Sequence, residues 1–206
     1  MAIDGEIPEV SQWKRLHDRG VILKDTEIDF ITNGIVDGSN EALKFLGQSD
    51  YEWPKIIFSD DMDTIGYVPR QQVINIPVQY LNKMAAVKNP FSDHQQIVYT
   101  IAGKEISIPY SQYLKLAGRE ETVHHFQEVG HPSLKAKYSA ISPAELSQVD
   151  RLLCDIEVEA RKTVDAISIK LGEQPIWANF DTYLSQQYPD RYNKPVDHLI
   201  SIQSSH

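Results

Sequence analysis

The sequence predicts an α+β fold with helices at the N-terminus, a small and mostly antiparallel sheet, and two long helices that form the functional site. Helix-capping residues are frequent in residues 9–50, short apolar and β-branched runs follow between residues 55 and 108, and helical periodicity fills residues 109–172. No repeat or linker divides the chain. We therefore expect a single domain over residues 1–206 with its core at about residues 55–172.

The composition indicates a globular protein with an acidic surface. The 206 residues include 20 lysines and arginines against 29 acidic residues, for a net charge of -9, so we expect no nucleic-acid partner. The first ten residues lack the positive charge and apolar run of a signal peptide, and no run of about 18 apolar residues occurs. The single cysteine, Cys154, excludes an intrachain disulfide. We expect a cytoplasmic protein that does not enter a membrane.

Capping signals divide the N-terminal layer, at about residues 9–50, into short helices. Ser11 is a candidate cap for a helix over residues 13–19, and Asp25 for a helix that ends at Ile31. Ser39 precedes a third helical run, for which Gly47 supplies the stop.

Five short strands are predicted in the middle of the chain, over residues 55–58, 65–68, 72–76, 97–101 and 105–108. The last two are separated by residues 102–104, a glycine-containing loop of hairpin length. A short helix over residues 177–186 is predicted near the C-terminus.

The first long helix after the sheet carries the most informative motif. It is predicted from residues 109–111 to about Glu128. Residues 120–124 are E-E-T-V-H, the zinc-protease motif H-E-x-x-H with glutamate in place of the first histidine. In the parent motif, the first and fifth residues bind the metal from one helical face, and the adjacent glutamate is the general base toward water. Glu120 and His124 are therefore candidate ligands, and Glu121 is the candidate base.

Glu120 and His124 are predicted to lie on the apolar face of this helix. The other residues within roughly 60° of Glu120 on the helical wheel are Tyr113, Leu116, Ala117, Val123 and Gln127. A carboxylate and an imidazole that face the interior need a partner or a metal. The simpler alternative is a hydrogen-bonded pair one turn apart, with no metal.

The second long helix offers a third candidate ligand. It is predicted from Ser142 to Leu171, with apolar residues spaced by three and four throughout. Glu157 borders this apolar stripe, whereas Glu159 leans to the opposite edge, so Glu157 is the better candidate. Three protein ligands with one open position is the plan of a catalytic zinc site. The alternative is that both acids only flank a buried stripe.

In their order and spacing, these elements resemble the core of zincin metallopeptidases of the gluzincin type. The resemblance rests on strands 65–68 and 73–76, the E-E-x-x-H helix, and the E-x-x-A pattern of residues 157–160 on the next helix. It implies a zincin-like fold over about residues 55–172.

The resemblance also implies roles for individual residues. Glu120, His124 and Glu157 would bind the metal, and Glu121 would be the general base. Glu120 departs from the family pattern, in which a histidine occupies this position. The resemblance makes zinc the first choice of divalent metal. Two carboxylates and one imidazole form a harder, more anionic site, so manganese and iron are the alternatives.

Two other metal patterns have less support. His124, His125 and His131 have the residue types of a metzincin site, but the glycine is misplaced and no methionine follows Met84. Residues 121–124 also match the E-x-x-H motif of di-iron helical bundles. Such bundles need a second E-x-x-H motif and further helical glutamates, and the strands predicted in the middle of this chain argue against them.

The sequence thus supports two functional hypotheses. The first is a metal-dependent hydrolase, most readily a peptidase with a peptide or protein substrate, in which a metal and a glutamate base activate water. The second is a catalytically inactive zincin-like protein that acts as a binding or regulatory module. The oligomeric state is left open.

Overall fold

A computed structural model describes residues 16–47, 54–60, 64–69, 71–85, 95–101, 104–129 and 152–190. These ranges form a mixed α+β structure, as predicted. The helices are α1 (Asp25–Phe45), α2 (Val78–Ala85), α3 (Tyr110–Val129), α4 (Asp155–Lys170) and α5 (Ala178–Gln187). The strands are β1 (Lys55–Ser59), β2 (Gly66–Val68), β3 (Val73–Pro77), β4 (Gln96–Ile101) and β5 (Lys104–Pro109). None of the helices in these ranges has the length and hydropathy that a bilayer crossing requires.

The described strands form two small sheets, where the sequence predicted a single one. The first has the order β1-β3-β2, in which β3 pairs in parallel with β1 and antiparallel with β2. The second is the antiparallel pair of β4 and β5, with Ile97 opposite Ile108. The predicted strands are thus confirmed to within a residue or two. The parallel pairing of β1 was not predicted, because alternation of side chains shows which face a residue occupies and not the direction of the neighbouring strand.

Helix α1 is continuous over 21 residues, so the predicted boundaries at Ile31 and Ser39 are wrong. Ile31 is fully buried within the helix, and the hydroxyl of Ser39 donates a 3.0 Å hydrogen bond to the carbonyl of Ile35. The N-cap of the helix is Lys24 and not the predicted Asp25, which is the first residue of the helix. Gly47, with φ of 66°, ends it as predicted. The predicted cap at Ser11 lies outside the described residues.

Helices α1 and α3 pack closely because glycines line their contact. A Cβ atom at Gly34 would lie 2.7 Å from Cβ of Leu114, and one at Gly38 or Gly118 would overlap the backbone of the opposite helix. The hydroxyl of Ser39 also lies 3.2 Å from the carbonyl oxygen of Gly118. The backbones can approach this far only where side chains are absent. This contact fixes α3, the motif helix, against the N-terminal layer.

Helix α4 begins at Asp155. The predicted helix from Ser142 to Leu171 is therefore wrong in running through Cys154 without a break. Cys154 is half-buried and extended, with φ of -68° and ψ of 146°, and it precedes α4 as the N-cap. The predicted helix start at Ser142 lies outside the described residues. The end at Gly172 is confirmed, since this residue has φ of 74°.

Helix α5 confirms the short helix predicted near the C-terminus. The carboxylate of Asp165 on α4 accepts hydrogen bonds from the backbone N–H groups of Ile176, Trp177 and Ala178, at 2.9, 3.0 and 2.6 Å. These groups at the start of a helix have no partner within the helix itself. Asp165 therefore attaches the beginning of α5 to α4.

Candidate metal centre

Helices α3 and α4 bring together the three side chains that the sequence identified as candidate ligands. Potential ligand atoms of Glu120, His124 and Glu157 all lie within 4.8 Å of one another. Glu120 and His124 are one helical turn apart on α3, and Glu157 approaches from the first turn of α4. Nε2 of His124 lies 3.8 Å from Oε2 of Glu157.

The cluster is partly buried but not sealed. The side chain of His124 is 15% exposed and that of Glu157 is 37% exposed. Glu120 and Glu121 have intermediate burial. A small molecule or ion can therefore reach the carboxylates of the cluster from solvent, while the surrounding protein reduces the screening of their charges.

Glu121 is held by the edge of the first sheet. Its Oε2 atom accepts a 2.6 Å hydrogen bond from the backbone N–H of Tyr67, the middle residue of β2. Since β2 is an edge strand, this N–H lies on the side of β2 that faces away from β3, and it points to α3. The candidate general base is thus fixed by a backbone donor on a separate element.

Burial and neighbouring charges shift the pKa values of Glu120, Glu121 and His124. Burial raises the pKa of Glu120 to about 7, and the charge of Glu157 adds to this effect while His124 opposes it. Burial likewise raises the pKa of Glu121 to about 8. Burial lowers the pKa of His124, but the carboxylates of Glu157, Glu121 and Glu120 outweigh this effect and raise it overall. The cluster therefore has a strong electrostatic preference for an added positive charge.

Gln127 links His124 to helix α4. Its Oε1 atom lies 2.9 Å from Nδ1 of His124. Its Nε2 atom donates to the carbonyl of Ile156 at 3.1 Å and to Oε2 of Glu159 at 3.0 Å. Glu159, predicted to lean away from the site, is instead buried at 1% exposure and contacts the site through this amide. Sequence reasoning placed Gln127 on the correct face of α3 but gave it no role.

A second set of contacts lies on another face of α3. The hydroxyl of Tyr67 donates to Oε2 of Glu128 at 2.6 Å and lies 3.0 Å from Nδ1 of His125. His125 is thus bound to β2 rather than to the ligand cluster, which removes it from the three-histidine alternative. His131, the last residue of that alternative, lies outside the described residues. Tyr67 was not identified from the sequence as a residue of the site.

Arg119, next to Glu120, anchors α3 to its neighbours. This side chain is fully buried, and its Nε atom donates to Glu41 of α1 at 2.7 Å. Its Nη1 atom donates to Ser168 of α4 at 2.9 Å and to Glu173 at 2.7 Å. A single guanidinium therefore connects α1, α3 and α4. It belongs to the residue that precedes Glu120 in the sequence. A hydrophobicity pattern cannot reveal it, because the pattern predicts arginine at the surface.

Arg161 on α4 also carries a buried charge. It forms an ion pair with Asp181 of α5 at 2.7 Å and donates to the carbonyl of Leu152 at 2.8 Å. Its charge lowers the pKa of Glu120, although burial dominates.

Comparisons of the chain with protein-family models, with curated proteins and with solved structures find no match.

Proposed function

We propose that this protein is a metal-dependent hydrolase with a zincin-like site and that its substrates are peptides or proteins. The observation that supports the proposal most is the meeting of Glu120, His124 and Glu157 from two helices, with Glu121 next to the first of them. Sequence spacing alone requires only that Glu120 and His124 share a face. The approach of Glu157 is an independent feature of the tertiary structure.

The donor set suits a divalent cation. Two carboxylates and one imidazole are common ligands of zinc, manganese and iron, with bond lengths of about 2.0 to 2.2 Å. The 3.8 Å between Nε2 of His124 and Oε2 of Glu157 is too long for a hydrogen bond but fits two ligands of one ion. The pair thus has the separation of ligands rather than that of a hydrogen-bonded pair.

When bound, a divalent cation would supply Lewis acidity, which lowers the pKa of water and polarises a carbonyl group. Glu120, His124 and Glu157 would hold the cation. Zinc is the first choice, and the second carboxylate makes manganese or iron the alternatives.

Glu121 would act as the general base. Oε2 is engaged by the backbone N–H of Tyr67, which orients the carboxylate and leaves Oε1 to take a proton from water. With a pKa of about 8, this group is largely protonated at neutral pH in the absence of a cation. A positive charge in the cluster lowers that pKa and converts Glu121 into the ionised form that a base requires. Glu121 would then deliver the proton to the leaving amine of a cleaved peptide bond.

Glu120 favours the second candidate function, an inactive binding module. In the motif that this helix resembles, a neutral imidazole occupies the first position, and here it is a carboxylate with a pKa of about 7. A proton on Glu120 can stabilise the cluster in place of a cation. A protein whose acidic cluster is stabilised by this proton, and not by a metal ion, would keep the fold without the hydrolase activity.

Metal analysis separates the two functions. The protein would be purified without added metal, and bound metal would be measured in the parent, in Glu120→Ala and in His124→Ala, with the exposed Glu105→Ala as the control. Stoichiometric metal in the parent and control, lost in both site variants, together with peptidase activity that follows the metal, supports the hydrolase. A parent that binds no zinc, manganese or iron when these are supplied contradicts it and supports the binding module.

A further inference from the structure

We infer that Gln127 is a positioning residue that fixes the tautomer of His124, so that Nδ1 carries the proton and Nε2 presents its lone pair to Glu120 and Glu157. The inference concerns the unliganded protein as well as the metal site. Only its consequence for metal affinity rests on the proposed function.

The orientation of the Gln127 amide is determined by helix α4. The two groups on that side are the carbonyl oxygen of Ile156, at 3.1 Å, and Oε2 of Glu159, at 3.0 Å. The carbonyl oxygen of Ile156 can only accept, so the NH₂ group of the amide points to it, and Oε2 of Glu159 accepts from the same group. An amide turned the other way would place its oxygen against a carbonyl oxygen and a carboxylate. The carbonyl oxygen, Oε1, therefore faces His124.

This orientation determines the state of the imidazole. Oε1 is only an acceptor, and it lies 2.9 Å from Nδ1 of His124. Nδ1 must then donate, and in the neutral imidazole Nε2 has the free lone pair. Nε2 is also the nitrogen that lies 3.8 Å from Glu157. The hydrogen-bond partner of one ring nitrogen thus selects the other for metal binding.

The carboxylates of the site favour the opposite tautomer. Next to Glu120 and Glu157, an N–H group at Nε2 would be electrostatically preferred over a lone pair. At 3.8 Å, however, Glu157 does not form a hydrogen bond with Nε2, whereas Gln127 forms one with Nδ1. The short contact outweighs the long one. Without Gln127, the proton of neutral His124 would move to Nε2 and block the nitrogen that faces the cluster.

Nitrogen-15 NMR of the metal-free protein tests this inference directly, because the two ring nitrogens differ in chemical shift according to which one carries the proton. Spectra would be recorded over a series of pH values, and the tautomer would be read at the alkaline end of the series, where the signals of His124 no longer change with pH. His124→Ala identifies the signals of His124 among the seven histidines of the chain. We expect a protonated Nδ1 in the parent and a protonated Nε2 in Gln127→Met. Gln112→Met, a substitution on the same helix at a half-buried position, is the matched control and should retain the parent tautomer.

A second variant keeps the test valid if Gln127→Met does not fold. Gln127→Glu retains an oxygen acceptor for Nδ1 but loses the donor to Ile156 and Glu159, so it should keep the parent tautomer while it lowers thermal stability. A protonated Nε2 in the parent, or the parent tautomer in a folded Gln127→Met, would overturn the inference.

Zinc titration of the same proteins distinguishes this inference from the proposed function. If the site binds zinc, Gln127→Met should weaken binding by about 10- to 100-fold, as is usual for residues that orient a ligand. Expected tautomers in a parent that binds no metal would contradict the proposed function and leave the role of Gln127 established. Metal binding by a parent whose His124 carries the proton on Nε2 would overturn the role of Gln127 and leave the proposed function standing.

Discussion

The backbone N–H of Tyr67 donates a 2.6 Å hydrogen bond to Oε2 of Glu121, and the side chain of the same tyrosine contacts His125 and Glu128. The three partners lie along one face of α3, at intervals of four and three residues. One residue of β2 therefore fixes the edge of the sheet against the motif helix over two turns. The candidate base is oriented by this attachment, separately from the candidate ligands, which lie at the contact of α3 with α4.

If the protein is the proposed metal-dependent hydrolase, Glu121→Gln should strongly reduce hydrolysis and leave the metal bound. The amide oxygen of glutamine can still accept the hydrogen bond from Tyr67, but the side chain cannot take a proton from water. We expect kcat/KM for a peptide substrate to fall by about 100- to 10,000-fold, the usual effect of losing a general base. Bound metal, measured in parallel, should match the parent. Unchanged activity would remove Glu121 from the mechanism.

The metal-free protein should lose stability as the pH rises from about 4.5 to about 8. The pKa values of Glu120 and Glu121 are raised from 4.5 to about 7 and about 8, so in this interval the folded state holds more protons than the unfolded state. The free energy of unfolding then falls with increasing pH, by several kcal/mol, and levels off at a pH above about 8. Urea denaturation at a series of pH values measures this change.

A double variant, Glu120→Gln with Glu121→Gln, provides the comparison for the pH series. It has no ionisable group at either position, so its stability should depend much less on pH over the same interval. A parent that gained stability with rising pH would show that burial does not dominate these two groups.

Gly118→Ala should destabilise the protein through the contact of α1 with α3. The added methyl group would overlap the backbone around Ile35, so the two helices must separate. Overpacking of this kind costs about 1 to 3 kcal/mol. Asn33→Ala, at an exposed position of α1, is the control and should be neutral or slightly stabilising, since alanine is the better helix former. Equal stability of the Gly118→Ala and Asn33→Ala variants would mean that α1 and α3 do not approach each other as closely as the structure shows.

Arg119→Met should be more damaging than loss of a surface charge. It removes a fully buried guanidinium and leaves the carboxylates of Glu41 and Glu173 without this partner. Breaking a buried pair costs about 3 to 5 kcal/mol, whereas Lys115→Met, which removes the more exposed partner of Glu41, should cost about 1 kcal/mol or less. Arg119→Lys should not restore stability, because an ammonium group cannot reach three partners in one plane. Urea denaturation of the three variants checks the order.

The sequence predicted the elements of this fold better than their boundaries. Helix α3 was predicted to within about a residue because a proline, an apolar face and a terminal glycine agree there. Ser39 shows why capping signals mislead. Its hydroxyl can cap a helix or donate to the preceding turn, and here the buried contact with Gly118 of α3 decides in favour of the second.

The candidate site was predictable where its residues share one element. Helical spacing places Glu120 and His124 together without any tertiary information. The approach of Glu157 could only be inferred from the E-x-x-A resemblance, because it depends on how α3 packs against α4. Gln127, Glu159 and Tyr67 were missed for the same reason. Their partners lie on other elements, and polar residues that support a site carry no periodic signal.

The order of the first sheet constrains how the chain assembles during synthesis. The central strand, β3, is the last of the three to be translated, so neither β1 nor β2 has its hydrogen-bonding neighbour until Pro77 has left the ribosome. The contact of Tyr67 with α3 can form only later, because α3 begins at Tyr110, 33 residues after Pro77. The half of the candidate site that holds Glu121 is therefore built from segments that the ribosome releases at separate times.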